Sequence, residues 1–171
     1  MMDAPTRTRR RALAAVVLTV VVVDQISKAI AVHELAGRGI VPIFGGALHV
    51  GLYRNFAGSA NRLTGHPVLV SLLALAAVLL IGGASLRARG RASTLAAGLL
   101  LGGGVSNLLD RLLRAPGPLR GGVVDWIKPT LSGATLNLAD VAITAGVAVF
   151  VISALISGWR ARSDDARLPA T

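Results

Sequence analysis

The sequence has no cysteine. That excludes a disulfide framework, thiol chemistry and a cysteine-ligated zinc site. Charge is scarce as well: Asp, Glu, Lys and Arg make up 15% of the 171 residues, against about 25% in a soluble globular domain. The three histidines, His33, His49 and His66, lie apart without ligand spacing, so no metal is expected. There is no G-x-S-x-G nucleophile elbow. Ser106 and Ser132 have no obvious base beside them. Gly102-Gly103-Gly104 is not followed by the G-K-[ST] of a phosphate loop, and within a span such glycines serve close helix packing. No cofactor is expected.

What the chain has in plenty is apolar surface. Hydrophobic residues make up 53% and the mean hydropathy is +0.67, too apolar for disorder. The net charge of +10 would suit a nucleic-acid partner if it formed a patch. It lies instead in short segments between long apolar runs, as in a multi-spanning membrane protein, and no nucleic acid is expected. A span needs about 20 apolar residues. Four stretches qualify, at about 12–35, 67–86, 94–113 and 136–158. The predicted fold is an all-α membrane protein, with four transmembrane helices in a single domain over 1–171. The rival reading of the first stretch is a cleavable signal peptide, with Arg7 to Arg11 as its basic end and Ala29-Ile30-Ala31 as the cut. Asp24 and Lys28, just before that cut, count against it, as does the length of the apolar run.

Orientation follows from Lys and Arg density. Arg7, Arg9, Arg10 and Arg11 precede the first span, Arg87, Arg89 and Arg91 lie between the second and third, and Arg160, Arg162 and Arg167 follow the fourth. With four spans these segments share one side, which predicts that both termini are cytoplasmic. The longer connections, 33–66 and 111–135, are then outside. Leu48, Val50 and Leu52 alternate with His49, Gly51 and Tyr53, a period of two that predicts a small extracytoplasmic β element. Gly45-Gly46 and Gly58 would bound it as turns.

Of eight acidic residues, Asp24, Asp110, Asp125 and Asp140 come to one depth, near the outer ends of the spans. Ionisable groups near a bilayer are costly, and so are functional candidates. Asp24 has Lys28 at i+4, which suits a structural ion pair. Asn107, Asp110 and Arg111 share a helical face, as a polar clamp to the following loop or as a chemical group would need. Asp125 and Asp140 sit among apolar neighbours with no evident local cation. Two such acids in one site would share a single proton, because like charges in contact cannot both ionise cheaply. That state supplies an acid and a base together, suited to hydrolysis of a carbonyl compound. On residue pattern alone, a proton or cation pathway suits the same carboxylates.

At these residues the sequence resembles the lipoprotein signal peptidases (signal peptidase II), bacterial membrane aspartic proteases. Asp24-Gln25-Ile26-Ser27-Lys28 is similar to that family's D-Q-x-[ST]-K. Arg54-Asn55 resembles its R-N in the first outer loop. Gly103-Gly104-Val105-Ser106-Asn107-Leu108-Leu109-Asp110-Arg111 is similar to G-G-x-x-G-N-x-x-D-R. Val123-Val124-Asp125-Trp126-Ile127 matches V-V-D-[FW]-I, and Asn137-Leu138-Ala139-Asp140 matches N-x-A-D. The likeness covers about 21–143.

The resemblance implies a catalytic pair of Asp125 and Asp140. It implies substrate-binding or supporting roles for Asp24, Lys28, Asn55, Asn107, Asp110, Arg111 and Asn137. It further implies that signal peptides are removed from diacylglyceryl-modified prolipoproteins, with the cut just before the lipidated cysteine. The implied setting is the bacterial cytoplasmic (inner) membrane, multi-pass, with the site near the extracytoplasmic face, among membrane lipids; a monomer suffices. Two departures stand out. Phe56-Ala57-Gly58-Ser59-Ala60 replaces the family's x-G-A-A-F, and Ser106 stands where the family has glycine. The alternatives are a divergent paralogue that binds precursors with altered or no cleavage, and a small carboxylate-based transporter.

Overall fold

The computed structural model describes residues 4–57, 65–87 and 90–165. Four long helices cross from end to end: α1 (Ala4–Leu35), α2 (Pro67–Ser85), α3 (Arg91–Leu113) and α4 (Leu138–Asp165). All four are long and apolar enough to span a membrane. α1 starts well before residue 12, because arginine is a good helix former and carries the helix through the basic segment. Its 32 residues reach about 48 Å, more than the roughly 30 Å hydrocarbon core, so the basic turns lie beyond the apolar stretch. α2 opens on Pro67, whose missing N–H costs nothing at a helix start.

Polarity is inverted relative to a soluble domain. Of the largest fully buried side chains, Lys28, Asn137, Asp24, Asp110, Asp125, Ser71 and Ser106 are polar, and only Val124 is apolar. Large apolar side chains such as Leu18, Leu80, Phe150 and Leu155 point outward. Hydrocarbon tails are as apolar as leucine, so such a chain gains by turning polar groups inward, where they satisfy one another.

α3 is the helix on which the other three pack. Its glycines make this possible. A Cβ at Gly98 or Gly102 would lie 2.7 or 2.6 Å from Val16 or Val20 of α1, and one at Gly103 only 2.5 Å from the Ala139 carbonyl of α4. A Cβ at Gly104 would meet Val78 of α2 at 2.9 Å. α2 packs on α3 and makes no contact of comparable extent with α1 or α4.

The expected strand forms as β2 (Leu48–Asn55), preceded by β1 (Val41–Ile43) and a 3-10 turn at Phe44–Gly46. Gly45 and Gly46 adopt φ of 64° and 89°, which favours glycine and makes the turn. The expected turn at Gly58 lies outside the described residues. A third strand, β3 (Val123–Pro129), comes from the second outer connection and was not expected. The sheet is antiparallel in the order β1-β2-β3. Val123, Val124 and Asp125 are all buried, so β3 lacks the alternation that marks a strand with one wet face. Asn55 pairs with Val123 and Tyr53 with Asp125, with a register shift between Val50 and Tyr53.

Candidate active site

The site starts from the end of a helix. Asn137 precedes α4 and accepts the Asp140 N–H on its Oδ1 at 3.0 Å. Asp140 Oδ2 accepts the Asn137 backbone N–H in return, at 3.1 Å. This is a reciprocal capping box, which fixes the carboxylate of Asp140 at a helix N-terminus where negative charge is favoured. Asp24 of α1 caps the same helix from outside, its Oδ1 accepting the Ala139 N–H at 2.8 Å.

The side-chain amide of Asn137 then reaches the second acid. Its Nδ2 donates to Asp125 Oδ1 at 2.7 Å and to Asn107 Oδ1 at 3.2 Å. One asparagine therefore joins Asp125 of β3 to Asp140 of α4. Asp125 is fully buried. Its Oδ2 accepts Asn55 Nδ2 at 3.2 Å and the Thr135 hydroxyl at 2.7 Å. Asn55 reaches it diagonally across the β2–β3 pairing, two residues from its own partner.

A buried ionic cluster stands behind the two acids. Lys28 Nζ lies 2.7 Å from Asp24 and 3.0 Å from Asp110, and donates to Asn107 Oδ1 at 2.8 Å. With its oxygen turned to that ammonium, Asn107 must present Nδ2 to Asp140 Oδ1, at 2.9 Å. Asp110 accepts the Val124 N–H at 3.0 Å, tying α3 to β3 beside Asp125. Its other oxygen takes Arg114 Nε at 2.6 Å and Gln25 Nε2 at 3.1 Å. Asp110 thus ties helix to loop, a contact that suits one of the two readings its spacing allowed. Four carboxylates, Asp24, Asp110, Asp125 and Asp140, share this region with three cations, Lys28, Arg111 and Arg114. Fully ionised, the cluster carries one negative charge, which a single proton on the Asp125–Asp140 pair cancels.

A cavity of about 810 Å³ opens between α2, α3 and α4. Val70, Ala77, Ile81, Leu100 and Ile143 give it apolar walls, while Asn55, Asn107, Arg111, Thr135 and Asp140 form a polar end. Arg111 is 5% exposed, and its Nη1 is buried with no hydrogen-bond partner among the described residues. No group of three or more metal-binding side chains occurs among the described residues.

Every expected site residue meets in this one region: Asp24, Lys28, Asn55, Asn107, Asp110, Arg111, Asp125, Asn137 and Asp140. Four further participants were not singled out for the site. Arg114 lies four residues beyond Asp110, a spacing that could have revealed it. Gln25 lies within the first motif but turns to Ser106 and Asp110. Ser106 is fully buried and donates to Asp24 Oδ2 at 2.7 Å. Thr135 carries no sequence signal. Of the departure at Phe56–Ala60, only Phe56 and Ala57 lie in the described residues. The Phe56 ring lies 2.8 Å from where a Cβ on Gly122 would stand.

The family model for signal peptidase (SPase) II matches residues 16–156. A lipoprotein signal peptidase of Mycobacterium avium (strain 104) is 33% identical, over 96% of this chain and 93% of its own length. Another, from Streptomyces coelicolor (strain ATCC BAA-471 / A3(2) / M145), is 35% identical over 87% of this chain and 74% of its own. A solved structure described as a bacterial membrane enzyme, determined by the in meso method at 2.3 Å, superposes with a TM-score of 0.73. It is 20% identical and covers 93% of this chain and 94% of that one, a likeness of fold. With a family match across the four spans and relatives that follow nearly the whole chain, this protein belongs to the signal peptidase II family.

Proposed function

We propose that this protein removes signal peptides from lipoproteins by aspartic-type hydrolysis, with Asp125 and Asp140 sharing one proton and one attacking water. The observation that carries the reading is the bridge through Asn137, within a buried cluster one proton short of neutrality. In the first step the ionised carboxylate takes a proton from water as the water oxygen bonds to the scissile carbonyl carbon. The protonated carboxyl gives its hydrogen to the carbonyl oxygen. In the second step the C–N bond breaks, the amine nitrogen receives a proton from the first carboxylate, and a hydroxyl of the tetrahedral intermediate reprotonates the second. The pair returns to its starting state, and no covalent enzyme intermediate is needed. Arg111, with a buried donor on the cavity wall that has no partner among the described residues, can hold a substrate carbonyl oxygen and stabilise the charge that develops there.

The cavity supports the same reading. Its apolar walls between α2 and α4 suit the signal helix and the acyl chains of a diacylglyceryl-modified cysteine. Its polar end holds Asp140, with Asp125 behind Thr135, for the bond just before that cysteine. Lys and Arg density supports both termini in the cytoplasm, with the site near the outer face of a bacterial cytoplasmic membrane. One chain holds both carboxylates, so a monomer suffices. The test is to incubate purified protein with diacylglyceryl-modified and unmodified precursor side by side. Cleavage of the modified form alone is expected, releasing a product that starts at the lipidated cysteine. Equal cleavage of both forms contradicts recognition of the lipid.

A further inference from the structure

We infer that Thr135 is a positioning residue for this reaction, its hydroxyl orienting Asp125 and holding it as the ionised base of the pair. The inference rests on the reading of Asp125 and Asp140 as the catalytic carboxylates. The two acids are not equivalent. Asp125 has no exposed surface and accepts three hydrogen bonds: Thr135 Oγ1 at 2.7 Å, Asn137 Nδ2 at 2.7 Å and Asn55 Nδ2 at 3.2 Å. Asp140 lines the cavity and accepts two, from Asn107 Nδ2 at 2.9 Å and the Asn137 N–H at 3.1 Å.

The amide nitrogens of Asn55 and Asn137 can only donate. An oxygen that already takes the Asn55 hydrogen and the threonine hydroxyl has little room for a hydrogen of its own. Asp125 is therefore ionised with Oδ1, which takes one donor only, left to accept a proton from water, and Asp140, facing the cavity, delivers one to the substrate. Without Thr135, Oδ2 would keep a single contact, the longest of Asp125's three, and the carboxylate could turn away.

Thr135 is held in place by its neighbour. The Leu136 N–H donates to the Ile127 carbonyl at 2.7 Å, and the Leu136 carbonyl accepts the Trp126 and Ile127 N–H groups at 3.0 Å each. This bridge lays the segment before α4 alongside β3, which sets the Thr135 hydroxyl against Asp125. Thr135 also lines the cavity, so it stands between the substrate space and the buried acid.

The test compares Thr135→Val, Thr135→Ala and Thr135→Ser with Asp125→Asn on lipid-modified precursor, measuring kcat and KM. Losing one hydrogen bond to a carboxylate predicts kcat lower by about tenfold or more in Thr135→Val, with KM within about twofold. Thr135→Ser keeps the hydroxyl and should stay within about threefold of the parent. If Thr135→Val does not fold, Thr135→Ala, which also lacks the hydroxyl in a smaller side chain, is read in its place. Parental kcat in the hydroxyl-free variants, with Asp125→Asn inactive, overturns the role of Thr135 and leaves the carboxylate pair standing. A rise in KM alone, or a Thr135→Ser as slow as Thr135→Val, overturns it too. Activity in Asp125→Asn overturns the parent reading instead.

Discussion

At Lys28 a single ammonium serves Asp24, Asp110 and Asn107 at once. Its side chain is fully buried, so water can replace none of these contacts. Lys28→Met keeps much of the bulk and removes the charge, which leaves two buried carboxylates short of their partner. Breaking a buried pair in this way costs about 3–5 kcal/mol. A marked fall in melting temperature in detergent is expected, and an unchanged melting curve would contradict the central place given to Lys28. The Asp24–Lys28 contact is local and was legible from the i+4 spacing. The reach of Lys28 to Asp110 and Asn107 was not, because it depends on how α1 meets α3. Ser106 is a similar case. The sequence showed only a serine where the family has glycine; the fold shows its hydroxyl supplying Asp24 with a donor.

At the level of elements, α3 and the start of α4 set the precision of the site. A Cβ at Gly103 would press on the Ala139 carbonyl, one residue from Asp140. Gly103→Ala therefore pushes against the capped end of α4 and tilts the Asp140 carboxylate. Overpacking of this kind costs about 1–3 kcal/mol. Thermal unfolding should show that loss, with cleavage falling further than stability alone explains. Wild-type melting and cleavage would contradict the close α3–α4 approach. The spans and the strand β2 were legible because apolar runs and period-two alternation are local patterns. β3 was not, since Val123, Val124 and Asp125 are buried together between sheet and helices. Thr135 stayed hidden for a related reason: its contact with Asp125 exists only because Leu136 bridges to Ile127. Two of the motifs are also structural devices. Asn137 to Asp140 is a capping box, and Asp110 holds β3 through Val124.

Over the whole molecule, the chain turns leucine, valine and phenylalanine outward and keeps Asp24, Asp110 and Asp125 inside. The bundle can hold so polar a core because almost every donor in it has an acceptor. Among the described residues, Arg111 Nη1, on the cavity wall, is one of three buried side-chain groups left without a partner, along with Tyr53 Oη and Trp126 Nε1. Charge is arranged to match, with the cluster one proton from neutrality and Asp140 of the proposed pair on the cavity wall. The most direct measurement is single-turnover cleavage of a lipid-modified prolipoprotein by folded Asp125→Asn and Asp140→Asn proteins. Removing an acid–base group slows a reaction by about a hundredfold or more. Both variants are expected to lose at least that much while still binding the precursor. Cleavage within a few-fold of the parent by either one would contradict the assignment of the chemistry to these two carboxylates.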